Sequence, residues 1–393
     1  MTEQRRLEFL ATYRDGLLAD TIPFWLRHSV DREHSGYMFS TDRDGTVVDT
    51  DKAIWLQGRF AWMLATLYNS VEPRPEWLEC AKLGIDFLLR HGYDSDGKMF
   101  FHVTREGRPI RKRRYVYSES FAAIAFAAYA KASRDESLAE KSREMLRQFY
   151  RYNTTPGLIE PKFTDTRPMK SIGFPMILIN TAQEVRANVG DSMADEYIDF
   201  GIREISQYFL KPELHVVMEN VGLAGEIYDH FDGRILNPGH AIEASWFVMH
   251  EGRLRSDRKL ISMGTSMLDW MWERGWDKQY GGILYFRDVK DLPVQEYWQD
   301  MKFWWPQNEA IIATLLAFAL TQEPKYEAWH DKIHRWAYER LTDAEHREWF
   351  GYLHRAGRIA TTLKGNLWKG GFHVPRMQLV CWKILESMGR QKA

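Results

Sequence analysis

Two histidines, His240 in NPGHAIEASW and His373 in WKGGFHVPR, stand where apolar segments begin, and each is followed three residues later by a charged side chain, Glu243 and Arg376. Residues three apart share a helical face, so each imidazole gains an ionic neighbour. Imidazole titrates near 6.5, which suits it to general acid–base work near neutrality. Glu309 in WWPQNEA adds a carboxylate, and Arg59 in WLQGRF a cation that is costly to bury without an anionic or strongly polar partner. Tyr117 and Glu119 in YVYSES and Asn180 in ILIN are polar at comparable places, while Trp304, Trp305 and Trp368 offer flat faces beside Glu309 and His373. Plainer readings stand beside these. A lone histidine at a helix start is commonly a cap or a solvated side chain, Arg59 could pair with a neighbouring glutamate, and tryptophans fill cores. Two histidines at equivalent places favour a shared pocket.

Other chemistries find no motif. HExxH, H-x-H and C-x-x-C are absent, so no metal site is expected, and neither GxGxxG after a strand nor GxxxxGK[ST] occurs. The basic run Arg111 to Arg114 could attract phosphate, although a solvated loop is the simpler reading.

Apolar spacing predicts twelve helices, at about 3–29, 52–69, 76–91, 117–132, 136–151, 172–188, 192–210, 239–251, 257–273, 306–321, 324–340 and 374–389. After every second helix comes a glycine with short alternating apolar residues, near Gly36, Gly97, Gly157, Gly233, Gly282 and Gly351, each read as a strand or hairpin. Their mean spacing, about 63 residues, is that of a helix pair plus a hairpin. Six such units without polar capping repeats predict an all-α fold, an (α/α)6 toroid closed on itself, with residues 1–393 as one domain. In that fold the even-numbered helices form an inner ring with their N-termini at one mouth, where the polar residues above recur.

Composition narrows the classes. Fifty-three basic against 54 acidic residues give a net charge of −1, which offers nucleic acid no global field. The longest strictly apolar run, 121–130, is too short to span a bilayer, and MTEQRRLEFL carries charges where a signal peptide needs an apolar core. Cys80 and Cys381 allow no disulfide framework, so a cytoplasmic location is expected. Aromatic residues make up 14% of the chain and could form platforms for sugar faces.

NPGHAIEASW, WWPQNEA and above all KGNLWKGGFHVPR resemble the N-acylglucosamine 2-epimerase family over nearly the whole chain. Relatives that epimerise cellobiose read more like YHNGR at the last segment, so FHVPR resembles the N-acyl branch. Gly371 stands where some members have Cys. The resemblance implies interconversion of N-acetylglucosamine and N-acetylmannosamine, with His240 and His373 as acid and base and Arg59, Glu243, Glu309 and Arg376 lining the pocket. It also implies a homodimer and ATP as an activator that is not consumed, for which Lys170 and the 111–114 run are candidate contacts. Tyr117, Asn180, Trp304, Trp305 and Trp368 are expected to complete the sugar site.

The chemistry then follows from the substrate. A C2 proton becomes acidic once the ring opens and the C1 aldehyde can delocalise the carbanion, and inversion needs the proton to return on the opposite face. Two imidazoles, or one with rotation about C2–C3, would serve. Rival readings are an aldose–ketose isomerase, a glycoside hydrolase or lyase using carboxylates among Glu119, Glu243 and Glu309, and a non-catalytic helical-repeat binding protein.

Overall fold

A computed structural model describes residues 1–390. The chain begins with α1 (Glu3–Asp15), passes through one π-helical turn, Gly16–Thr21, and continues as α2 (Ile22–His28). The single long helix expected at 3–29 is therefore one rod with a wider turn inside it. There follow α3 (Ile54–Ser70), α4 (Pro75–His91), α5 (Tyr117–Ser133), α6 (Glu136–Thr154), α7 (Gly173–Val189) and α8 (Ala194–Glu204), which runs into a second π-helical turn, Ile205–Phe209. A short α9 (Phe231–Arg234) precedes α10 (Pro238–Arg255), α11 (Arg258–Gly275), α12 (Trp304–Thr321), α13 (Pro324–Arg340) and α14 (His373–Arg390).

Burial separates two layers. Every residue of α12 from Trp304 to Phe318 is buried, as is every residue of α5 from Ser118 to Ala130, whereas α6 buries a stripe at Leu138, Ser142, Met145 and Phe149. A helix apolar all round belongs inside, and one with a single stripe belongs at the surface of the core. So α3, α5, α7, α10, α12 and α14 form the inner ring and the longer remaining helices the outer one. Alanines along α5 let it approach α3 closely: a Cβ on Gly58 would sit 2.6 Å from the Phe121 carbonyl oxygen. The ring closes where Trp55 meets Trp368 and Trp62 meets Phe372, and where Arg6 donates to the Leu385 carbonyl at 2.7 Å.

Short strands join neighbouring units at the mouth formed by the inner-helix N-termini. Lys52–Ala53 pairs with His102–Val103, Ile235–Leu236 with Arg287–Asp288, and Lys302–Phe303 with Tyr352–Leu353. The expected strand near Gly157 does not form. That stretch, rich in proline at Pro156, Pro161 and Pro168, lacks the donors a ladder requires, and it crosses as an exposed loop to Met169–Ser171.

A brace repeats in three units and sets where the inner helices start. Lys52, just ahead of α3, is fully buried and donates to Asp31 at 2.9 Å and to the Ser35 carbonyl at 2.7 Å, while Arg105 from the next hairpin reaches the same carboxylate at 2.8 Å. Lys302 with Asp277 and Arg355, and Lys364 with Asp343 and Arg43, repeat the arrangement. Burial alone would raise these aspartates, but the guanidinium and ammonium partners hold each well below the usual carboxylate range. Gln57 and Gln307 clamp the backbone of Tyr37 and Ile283 from both sides. Glu119 does the same half-task, accepting the Met99 N–H at 3.0 Å.

Candidate active site

Pro238 opens α10, and the Asn237 side chain caps it by accepting the His240 N–H at 3.1 Å, which fixes His240 in the first turn. Its Nδ1 lies 3.0 Å from Oε2 of Glu219, at the edge of the strand Asn220–Gly222. At the start of α14, Nδ1 of His373 lies 2.7 Å from Oε1 of Glu309. Both imidazoles are thus held by a carboxylate at Nδ1, which fixes the ring and leaves Nε2 as the working nitrogen. Both also lie against one indole: the Trp305 ring centroid is 5.0 Å from that of His240 and 5.9 Å from that of His373. Side chains far apart in sequence therefore meet on one ring.

The two dyads differ in what else touches the carboxylate. Glu309 is fully buried and also accepts from Arg376 at 2.7 Å and from the indole N–H of Trp246 at 2.8 Å. Arg376 bonds Glu243 as well. Burial, together with the charges of Arg376 and Arg59, holds His373 well below its ordinary value, so it rests as the neutral imidazole. Burial also opposes a charge on His240, but the Glu219 carboxylate overcomes it and raises His240. One imidazole is set up as a base and the other as an acid. Ligand atoms of Glu243, Glu309 and His373 come within 4.8 Å of one another, and the guanidinium of Arg376 supplies the positive charge in that cluster.

Arg59 makes no ion pair with a described carboxylate, and its Nε is buried without a partner. Its guanidinium lies instead over the rings of Phe121, Trp55 and Phe372, at 4.1, 4.4 and 4.6 Å from their centroids. Burial pulls it down to about 9, against the pull of Glu243. A desolvated cation without an anion is placed to receive one. Beside it, Trp368 packs on Trp55 and Phe101, with Arg114 above its ring at 4.4 Å. Trp304 stands edge-on to His373 with centroids 6.0 Å apart. Tyr117, at the start of α5, has its hydroxyl raised by burial and by the nearby Glu219 charge.

Asn180 is not at this mouth. It lies seven residues into α7 and lines a cavity toward the other end of the barrel, because a rise of 1.5 Å per residue carries it roughly 10 Å below the helix start. Glu119 is likewise engaged with the Met99 backbone, away from the imidazoles, and burial pushes it up to about 7. Glu219 and Trp246 escaped the sequence reading. Glu219 sits as an isolated carboxylate in the apolar run VVMENVG, a faint signal, and Trp246 looked like any core residue.

A closed six-hairpin ring with two oppositely tuned histidine–carboxylate dyads at one mouth has the parts an (α/α)6-barrel isomerase needs to move a proton. The sequence profile of N-acylglucosamine 2-epimerase matches residues 36–373. N-acylglucosamine 2-epimerase of Bos taurus is 34% identical over 399 residues, covering 98% of this chain and 94% of that protein. The chain belongs to the N-acylglucosamine 2-epimerase family. Its fold is shared with cellobiose 2-epimerase from Spirochaeta thermophila, at a TM-score of 0.83, 21% identity and 98% coverage of both chains. A D-mannose isomerase superposes at a TM-score of 0.79 with 16% identity and 97% coverage of both.

Proposed function

We propose that this protein interconverts N-acyl-D-glucosamine and N-acyl-D-mannosamine by opening the ring, removing the C2 proton and returning a proton on the opposite face. The observation that carries the reading is the pair of imidazoles, each oriented by its own carboxylate and both against Trp305. In one direction of reaction, Nε2 of neutral His373 takes the C2 proton. The charge that develops on O1 meets the unpaired guanidinium of Arg59, a donor desolvated in advance. Protonated His240 then delivers its proton to the other face of the enolate. The reverse reaction exchanges the two roles. Arg376 holds Glu309 and Glu243 in place through ion pairs, while Trp304, Trp305 and Trp368 wall the sugar. The substrate loses no electrons overall, so the chemistry calls for no nicotinamide.

The ring is read as one domain, and ATP, where it acts, as a ligand that is not consumed. In this structure Lys170 pairs with Glu204 at 2.9 Å and Arg113 with Asp94 and Asp96. No helix of the described residues is long and apolar enough to cross a membrane, and a cytoplasmic homodimer fits the family reading. The test is incubation with N-acetylmannosamine in heavy water, with and without ATP, followed by sugar analysis. N-acetylglucosamine carrying deuterium at C2 supports the reading, whereas a ketose product would move the assignment to an aldose–ketose isomerase.

A further inference from the structure

The floor of the catalytic site is closed. Arg59, Glu243, Glu309 and Arg376 are all buried there, so an open-chain sugar with C1 and C2 between the histidines must point its C3–C6 end out through the rim. What stands at that rim decides how long a sugar can be. Trp368, half-buried, is the broad apolar surface on the side of Arg59, joined to it through Trp55. Trp55 stands perpendicular to its indole, with centroids 5.7 Å apart, and Phe101 is tilted against it at 5.8 Å. The guanidinium of Arg114 lies over the same ring, 4.4 Å from the centroid.

The backbone places Arg114 there. It comes from the solvent side, just past the exposed strand Pro109–Arg111, and the next residue, Tyr115, has a φ of 55°. A non-glycine residue in the left-handed region is strained and persists where its neighbours hold it. Arg114 also lies 5.7 Å from the Tyr115 ring centroid and 5.9 Å from that of Phe101, so three rings share one cation. Solvent reaches the side chain, yet enough protein crowds its head for burial to lower it. No carboxylate among the described residues pairs with it. Arg111 and Lys162 are its charged neighbours, and the hydroxyls of Tyr117 and Tyr285 act on it. Glu219, which acts on Lys162 and Tyr285, is itself bonded to His240. A cation held by aromatic faces therefore rests on an indole at the rim, in the place where a second sugar ring would stack.

We propose that Arg114 is a specificity-determining residue that sets the length of the substrate. On the epimerase reading, on which this rests, its guanidinium covers the flat surface of Trp368 and confines the site to single N-acyl amino sugars. With the guanidinium gone, the same indole takes the second ring of a β-1,4-linked disaccharide whose reducing end reaches the histidines. A substituent on O4 leaves C1, C2 and O5 free, so ring opening and proton transfer proceed on that reducing end as on the single sugar.

The test compares the full chain, Arg114→Ala and the double variant Arg114→Ala/Trp368→Ala on N-acetylglucosamine and on its β-1,4-linked dimer, N,N′-diacetylchitobiose, with calorimetric titration of the dimer beside turnover. In the unsubstituted protein kcat/KM for the dimer should lie at least about tenfold below that for the single sugar. Arg114→Ala should raise the ratio of the two at least about tenfold and tighten the Kd of the dimer by a similar factor. Trp368→Ala in that background should return the ratio and the Kd to their starting values. A merely structural role for Arg114 would lower both activities and leave the ratio alone. The proposal is overturned if either difference is missing, or if the gain survives without Trp368. Should no form turn over N-acetylglucosamine, the epimerase reading falls, while the Kd of the dimer with and without Arg114 still decides whether the guanidinium is a cap.

Discussion

Glu219→Gln removes one negative charge 3.0 Å from Nδ1 of His240 while keeping an oxygen there to accept the same hydrogen bond. For either direction of reaction the imidazole pair must carry a single proton, so the rate depends on two limbs. The acid limb marks arrival of a second proton, on His373, and the alkaline limb loss of the only one, from His240. Because His240 is raised by Glu219, the folded protein keeps that proton to a higher pH than a free imidazole would. A charge at this separation in a buried site moves a pKa by about one to three units, or about 1.4–4 kcal/mol. The alkaline limb of kcat/KM should therefore fall by one to three units in the variant. At pH 7.5 activity should drop about tenfold or more, and near pH 5.5 it should return to within a few-fold of wild type. The acid limb should stay where it was, since Glu309 and Arg376 are untouched. Initial rates on N-acetylmannosamine from pH 4.5 to 9.5 decide it. An alkaline limb that does not move, or equal losses at all pH values, would refute the assignment of His240 as the proton carrier.

Further outcomes follow from the same geometry. Arg59→Met should lower kcat about 10²- to 10³-fold, the loss of a fixed donor to a developing oxyanion, yet leave the melting temperature unchanged or higher, because the native cation is buried unpaired; a matched fall in stability would argue for a structural role instead. Asp277→Asn strips the anion from buried Lys302 and should cost about 3–5 kcal/mol in urea unfolding at pH 7. Asp31, Asp277 and Asp343 sit below their unfolded values, so their stabilisation is complete above about pH 4 and is lost as pH falls through the depressed native values. The cost of Asp277→Asn should shrink accordingly when unfolding is measured at pH 3. Glu119→Gln should retain activity within about twofold and gain stability, since glutamine fills the matching place at Gln57 and Gln307; sharp loss of turnover would restore Glu119 to the chemistry.

Local signals carried much of this reading. Apolar spacing places the twelve long helical segments within a few residues, and the i, i+3 pairs His240–Glu243 and His373–Arg376 are visible because both members lie on one turn. What the sequence hid depends on long-range geometry. Asn180 reads as a mouth residue although a helix starting near 172 already carries it two turns in, to the middle of α7, where it lines the other cavity. Glu219 could not be linked to His240, since the chain between them folds through a strand and a short helix before returning. The Lys–Asp–Arg braces join residues 21 to 300 positions apart, so each acidic or basic member reads as ordinary surface charge. Gly157 showed the opposite failing: a glycine next to apolar residues mimicked a hairpin, and the surrounding prolines decided otherwise.

The braces also bear on how the molecule comes apart. Arg105 serves Asp31 and Arg355 serves Asp277, each guanidinium coming from the hairpin one unit later, while Asp343 in the final unit is served by Arg43 in the first. Counted this way the ring has no first member. An open array can fray from an end and keep its middle, but here peeling away any one of these units strands a dehydrated carboxylate and ammonium in its neighbour. Melting should therefore run across the ring closure instead of fraying from it, and the histidines, on α10 and α14 to either side of α12, should separate with it.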